Sequence, residues 1–130
     1  MSIIFLRHRL RWEVSQLAFQ ETQLERDGIV FRLKLLDLEN AVVAFFCEGP
    51  MRLGTLAFAL PGLIEAAATT SSVLLGGKYL IVTRSLAERM AVLLKKMSLV
   101  SVYTSVQEAE AFRIFVELLD AAISQRKSTP

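Results

Sequence analysis

The side chains that could do chemistry are few and scattered. His8 is the only histidine and Cys47 the only cysteine. His8 stands among arginines near the N-terminus, a poor setting for a buried general base. Cys47 ends an apolar run, with no histidine nearby in sequence to activate its thiol, and reads as a small buried hydrophobe. One histidine and one cysteine cannot build a zinc site of the usual kind. Carboxylates come close together at Glu25/Asp27 and Glu108/Glu110. On a helix, residues two apart do not face each other, so Glu108 and Glu110 suit a helix start, where acids complement the dipole. Gly76-Gly77-Lys78 lacks the spacing of a phosphate-binding loop, and Tyr79 replaces its hydroxyl residue. Lys95-Lys96 and the pair Arg84/Arg89 read as solvated helix charges. Trp12 and Tyr103 do not interleave with bases as a single-strand-binding platform requires. Phe112 and Phe115 belong to a core stripe. The sequence therefore predicts no catalytic, cofactor-binding or metal-ligating residue. It points away from an enzyme and toward a protein that works by binding.

The bulk properties agree. A chain of 130 residues fits one domain and can hide enough surface for a core without staples. Hydrophobic residues make up 53% of it, yet the longest apolar runs are strand length. None approaches the roughly 18 residues that a membrane span needs. The apolar excess implies a subunit interface instead. Residues 1–12 carry Arg7, Arg9 and Arg11 and no acid, and Arg126 and Lys127 stand near the other end. The body between has ten bases and thirteen acids, which is not the basic stripe of a nucleic-acid binder. A lone cysteine allows no internal disulfide and fits a reducing compartment, cytoplasmic or nuclear. Residues 1–13 read as a basic N-terminal arm, because the charges follow the apolar stretch where a signal peptide would carry them before it.

Those side chains need positioning elements, and the pattern supplies them. A weak strand is expected at 14–20, and Asp27-Gly28 is a turn signal. Strands follow at 28–36 and 41–47, joined through 37–40, then at 53–60 and 69–75. The segment 61–68 is an alanine-rich connector. Tyr79, Val82, Leu86, Met90, Leu93, Leu94 and Met97 recur at helical spacing, and Ser85 with Glu88 fits a capping box. A strand at 99–103 comes next. Ser105 with Glu108 is a second capping-box match, opening a helix with the stripe Ala109, Phe112, Phe115, Val116, Leu119 and Ile123. Residues 124–130 read as a C-terminal tail. The order β-β-β-β-β-α-β-α implies an α+β domain over 14–123, with a mostly antiparallel sheet of about six strands and two helices on one face.

The hairpin 28–47 carries the functional signal. An even loop pairs Leu35 with Val42, Leu33 with Ala44 and Phe31 with Phe46, and residues opposite one another share a face. Phe31, Leu33, Leu35, Val42, Ala44 and Phe46 then form a wholly apolar face, assigned to the helices. Arg32, Lys34, Val43, Phe45 and Cys47 form the other. It is too apolar for a wetted surface, and it resembles a partner interface with an apolar centre and charged rim. Arg32, Lys34, Val43 and Phe45 are the dimer-interface candidates.

The ordered pieces also resemble a known family. The tract Gly49-Pro50-Met51-Arg52-Leu53-Gly54-Thr55-Leu56, the strand ending at Leu60-Pro61, and Thr69-Thr70-Ser71-Ser72-Val73-Leu74-Leu75-Gly76 look like the third and fourth proteasome assembly chaperones. The resemblance continues through Ser85-Leu86-Ala87-Glu88-Arg89, Leu99-Val100-Ser101-Val102-Tyr103 and the acidic-apolar last helix. It implies a small α+β chaperone that needs no cofactor. Such a chaperone pairs sheet to sheet, as a heterodimer with a related chaperone or as a homodimer, and holds a proteasome α-type subunit while the 20S α ring assembles. A small dimeric α+β adaptor of roadblock or longin type, regulating a GTPase or trafficking complex, is the alternative. Those folds place a helix between early strands.

Overall fold

Asp27 and Gly28 both adopt positive φ, 54° and 79°, and reverse the chain between Arg26 and Ile29, which pair across the turn. Two positive-φ residues match the right-handed twist of the flanking strands, which explains the Asp-Gly choice. This hairpin begins a six-stranded sheet in a computed structural model that describes residues 19–62 and 70–128. In chain order the elements are β1 (Phe19–Arg26), β2 (Ile29–Asp37), β3 (Ala41–Glu48), β4 (Thr55–Leu60), β5 (Thr70–Leu75), α1 (Leu80–Leu94), β6 (Met97–Tyr103) and α2 (Glu108–Ser128). The expected α+β class and element order hold. The N-terminal arm, residues 14–18 and most of the connector lie outside the described residues.

The spatial order is β1-β2-β3-β6-β4-β5. Neighbours are antiparallel except β3 and β6, which run parallel at the centre. Both β5 and β6 are antiparallel to β4, so they point the same way and need a crossover, which α1 provides. Gly54 leads into β4 where a Cβ would collide with the Val102 carbonyl, so only glycine allows this approach to β6. Its N–H donates to Ser101 Oγ at 2.9 Å.

The hairpin register differs from the expected one by two residues. Leu35 pairs with Ala44, Leu33 with Phe46 and Phe31 with Glu48. β2 runs on to Asp37, and the Leu38 N–H reaches the Ala41 carbonyl at 2.8 Å, leaving only Glu39 and Asn40 at the tip. A slip of two keeps every side chain on its face, because the strand period is two. The apolar face survives intact. Phe31, Leu33, Leu35, Val42, Ala44 and Phe46 are all buried.

Both helices pack on that face, α1 over β4, β5 and β6, and α2 over β1 and β2. Phe115 anchors α2, with its ring edge-on to Phe31 at 6.0 Å and to Phe46 at 5.4 Å. The buried stripe of α2 is Ala111, Ile114, Phe115, Leu118, Leu119 and Ala122, rotated from the expected one, and it leaves Ala109 and Phe112 exposed. Small Ala111 and Ala122 let the helix sit close to the sheet, so volume decides the face as much as hydrophobicity. In α1, Val82, Leu86 and Met90 are buried as expected, joined by Ala87 and Ala91, whereas Leu93 is exposed and Met97 already belongs to β6.

Neither capping-box reading holds. α1 starts at Leu80, behind Tyr79 in the left-handed region, and Ser85 lies inside it. Its early Val82 N–H is met from outside by Glu108 Oε1 at 3.3 Å. At α2 the Gln107 carbonyl accepts the Ala111 N–H, while Ser105 Oγ turns to Glu48. α2 also continues to Ser128, past the tail boundary drawn at 124. Its last turns are tied down: Gln20 donates to the Ala122 carbonyl, Thr22 to Gln125, and Arg126 pairs with Asp37 at 2.7 Å.

Candidate functional site

With both helices on one side, the other side of the sheet is left bare among the described elements. The ladder shows what lies there. Phe19 is opposite Leu36, Leu36 opposite Val43, Val43 opposite Leu99, and Leu99 opposite Phe58. One row of apolar side chains thus crosses five strands from β1 to β4. The adjacent row runs from Lys34 through Phe45 and Ser101 to Leu56. Leu36, Val43, Phe45, Leu56, Phe58 and Leu99 are only half-buried. Leu74 and Leu75 extend the apolar surface at the β5 edge, 51% and 54% exposed. Monomeric proteins seldom leave so continuous an apolar surface without a use for it.

All four interface candidates stand on this face. Lys34 and Phe45 are directly paired, Val43 lies two residues along β3, and Arg32 opposes Cys47. Lys34 Nζ sits 5.0 Å from the Phe19 ring centre, so its charge rests on an aromatic face beside the apolar row. Phe19, Leu36, Leu99 and Phe58 complete the row and were absent from the sequence-derived set. Leu99 becomes a neighbour of Val43 only because β6 inserts between β3 and β4, which no local pattern announces. The alternation of Leu56 and Phe58 was legible, but not what they would adjoin.

Cys47 shares this face by register yet is fully buried. The chain after β3 folds over it, and its Sγ lies 3.3 Å from the Arg52 carbonyl and 3.5 Å from the Arg52 nitrogen. Burial pushes its thiol pKa up, which the contacts with Arg52 and the nearby Arg32 charge only partly oppose. A raised pKa makes it a poor nucleophile. Glu48 follows on the same strand. Burial would raise its pKa, but the Ser105 N–H and the hydroxyls of Thr104 and Ser105 outweigh this and hold it below the usual carboxylate range. The remaining acids discussed above do not converge. Glu108 meets α1, whereas Glu110 is exposed. Gly76 and Gly77 lie in the β5–α1 turn, where Gly76 packs on Thr55 at a φ of 107°. Among the described residues, no group of three or more His, Cys, Asp or Glu could hold a metal ion.

What this arrangement offers is surface: an apolar band across the sheet, with Arg32, Lys34 and Arg52 toward one side. The backbone resembles one chain of a solved chaperone complex for yeast 20S proteasome assembly, with a TM-score of 0.62 and 12% sequence identity. The match covers 86% of this chain and 96% of that one. No protein-family model matches the sequence, and no curated protein does. At such low identity the likeness speaks for the fold: this is the α+β architecture found in a proteasome assembly chaperone complex.

Proposed function

We propose that this protein is a proteasome assembly chaperone. It pairs through the uncovered sheet face with a related chaperone, or with a second copy of itself, and holds a 20S α-type subunit while the α ring forms. The observation that carries this reading is the apolar row from Phe19 to Phe58, with no described element over it. Likeness to a chain of a chaperone complex gives the row a context. Val43 and Phe45 supply the apolar centre, and Arg32 and Lys34 the charged side. The protein works by binding alone, in the cytoplasm and nucleus. A partner that binds only the assembling conformer raises that conformer's population, and departs when later subunits compete for the surface. The unbroken run of strands from β1 to β4 speaks against a roadblock or longin adaptor, which would interpose a helix.

Affinity purification of the tagged chain tests the role. Recovery of proteasome α subunits in incomplete rings, together with a second small chaperone or a second copy, is the expected result. Recovery of a small GTPase, or of the free monomer alone, would overturn it.

A further inference from the structure

One corner of the uncovered face is basic and unfinished. An open groove of about 730 Å³ lies there, walled by Val30, Arg32, Glu48, Pro50, Arg52 and Tyr103. Arg52 is already posed. Its Nη1 donates to Tyr103 Oη at 2.8 Å, and its guanidinium carbon stands 5.3 Å from the Tyr103 ring centre. Arg32 is incomplete: its Nε is buried and has no acceptor among the described residues. Burying a donor without an acceptor is costly, so such an atom points to a missing partner. Among the described residues neither arginine forms an ion pair, since the pairs there use Arg26, Arg89, Lys96 and Arg126. Glu48 is the one carboxylate among the described residues of the wall, and both its oxygens are engaged by Thr104 and Ser105.

We propose that this groove receives an aspartate or glutamate side chain from the protein that covers the sheet face. The inference rests on the reading of that face as a protein interface and names the chemistry at its edge. Once the Arg32 side chain turns toward the groove, its Nε and neighbouring Nη form a two-pronged donor that matches a carboxylate. Val30, Pro50 and the Tyr103 ring give the groove apolar walls suited to the residues flanking such an acid. Arg32 lies beside Lys34 and Cys47 on the sheet, so the groove is continuous with the apolar face.

The probe is the peptide acetyl-Leu-Asp-Leu-amide, compared with acetyl-Leu-Asn-Leu-amide and with inorganic phosphate. Arginine Nε–H resonances of the full chain are followed by NMR during each titration. The aspartyl peptide is expected to shift the Arg32 and Arg52 signals saturably, and Arg52→Met or Arg32→Met to weaken binding about tenfold. An equal response to the asparaginyl peptide, a stronger one to phosphate, or no saturable shift would overturn the proposal. Arg52→Met keeps the test decisive if Arg32→Met fails to fold, since Arg52 is exposed. The two readings fail separately. Peptide binding without co-purifying proteasome subunits removes only the assembly role, and co-purification without peptide binding removes only the carboxylate site.

Discussion

Phe45 and Phe46 are sequence neighbours with opposite fates. Phe46 is fully buried under α2, edge-on to Phe115. Phe45 is half-buried on the bare side, between Lys34 and Ser101. Their chemistry is identical, so the difference lies in what covers each face. One face is completed within the chain and holds the fold together. The other is equally aromatic at this point but meets no element of its own chain among the described residues. A hydrophobe that does not serve the fold is available for association.

The contrast can be broken from either side. Phe46→Ala should cost about 3–5 kcal/mol, because it removes a ring from a packed core and leaves a cavity. Urea unfolding would show it as a lower midpoint. Phe45→Ala should cost the isolated chain less than about 1.5 kcal/mol, since its ring has fewer packing partners to lose. Equal losses would mean the two faces are not distinct. Val43→Asp sharpens the comparison. A charge in the middle of the apolar row should abolish dimerisation, seen by sedimentation, while circular dichroism stays native. An unchanged sedimentation profile would remove Val43 from the interface.

The covered face also has an acid-sensitive tie. Asp37 is bonded by Lys96 and Arg126, each at 2.7 Å. Burial would raise its pKa, but the hydrogen bonds and charges of those two partners outweigh that and leave it lowered. A carboxyl lowered on folding adds stability that is complete above its unfolded pKa and is lost as pH falls through its folded value. Asp37→Asn should therefore cost about 1 kcal/mol at neutral pH and nothing once the native carboxyl is protonated. Unfolding midpoints across acid pH would show the two curves converging downward. The smallest effect concerns Cys47. With a buried thiol of raised pKa, it should resist alkylation at neutral pH until the protein unfolds, and native-state labelling as fast as unfolded labelling would contradict its burial.

Much of this was legible locally. Alternation in 28–47 assigned each side chain to a face, and those assignments survived a register error of two because parity was unchanged. Asp27-Gly28 marked its turn. β1 was less legible: its polar run Gln20 to Arg26 hides the strand, because it sits at the sheet edge with few apolar residues to alternate. The capping boxes misled because Ser105 binds Glu48, a partner far away in sequence. Arg32 and Lys34 were visible as charges on the second face. The groove beside them was not, since Arg52 and Tyr103 join it from separate segments.

Residue order alone settled the class of fold and the two faces of the hairpin, because period-two alternation is a local property. Only tertiary structure decided that β6 enters between β3 and β4, aligning Val43 with Leu99 and Phe58. Strand neighbours are chosen by packing across the whole sheet, and that choice turned separate apolar residues into one continuous surface.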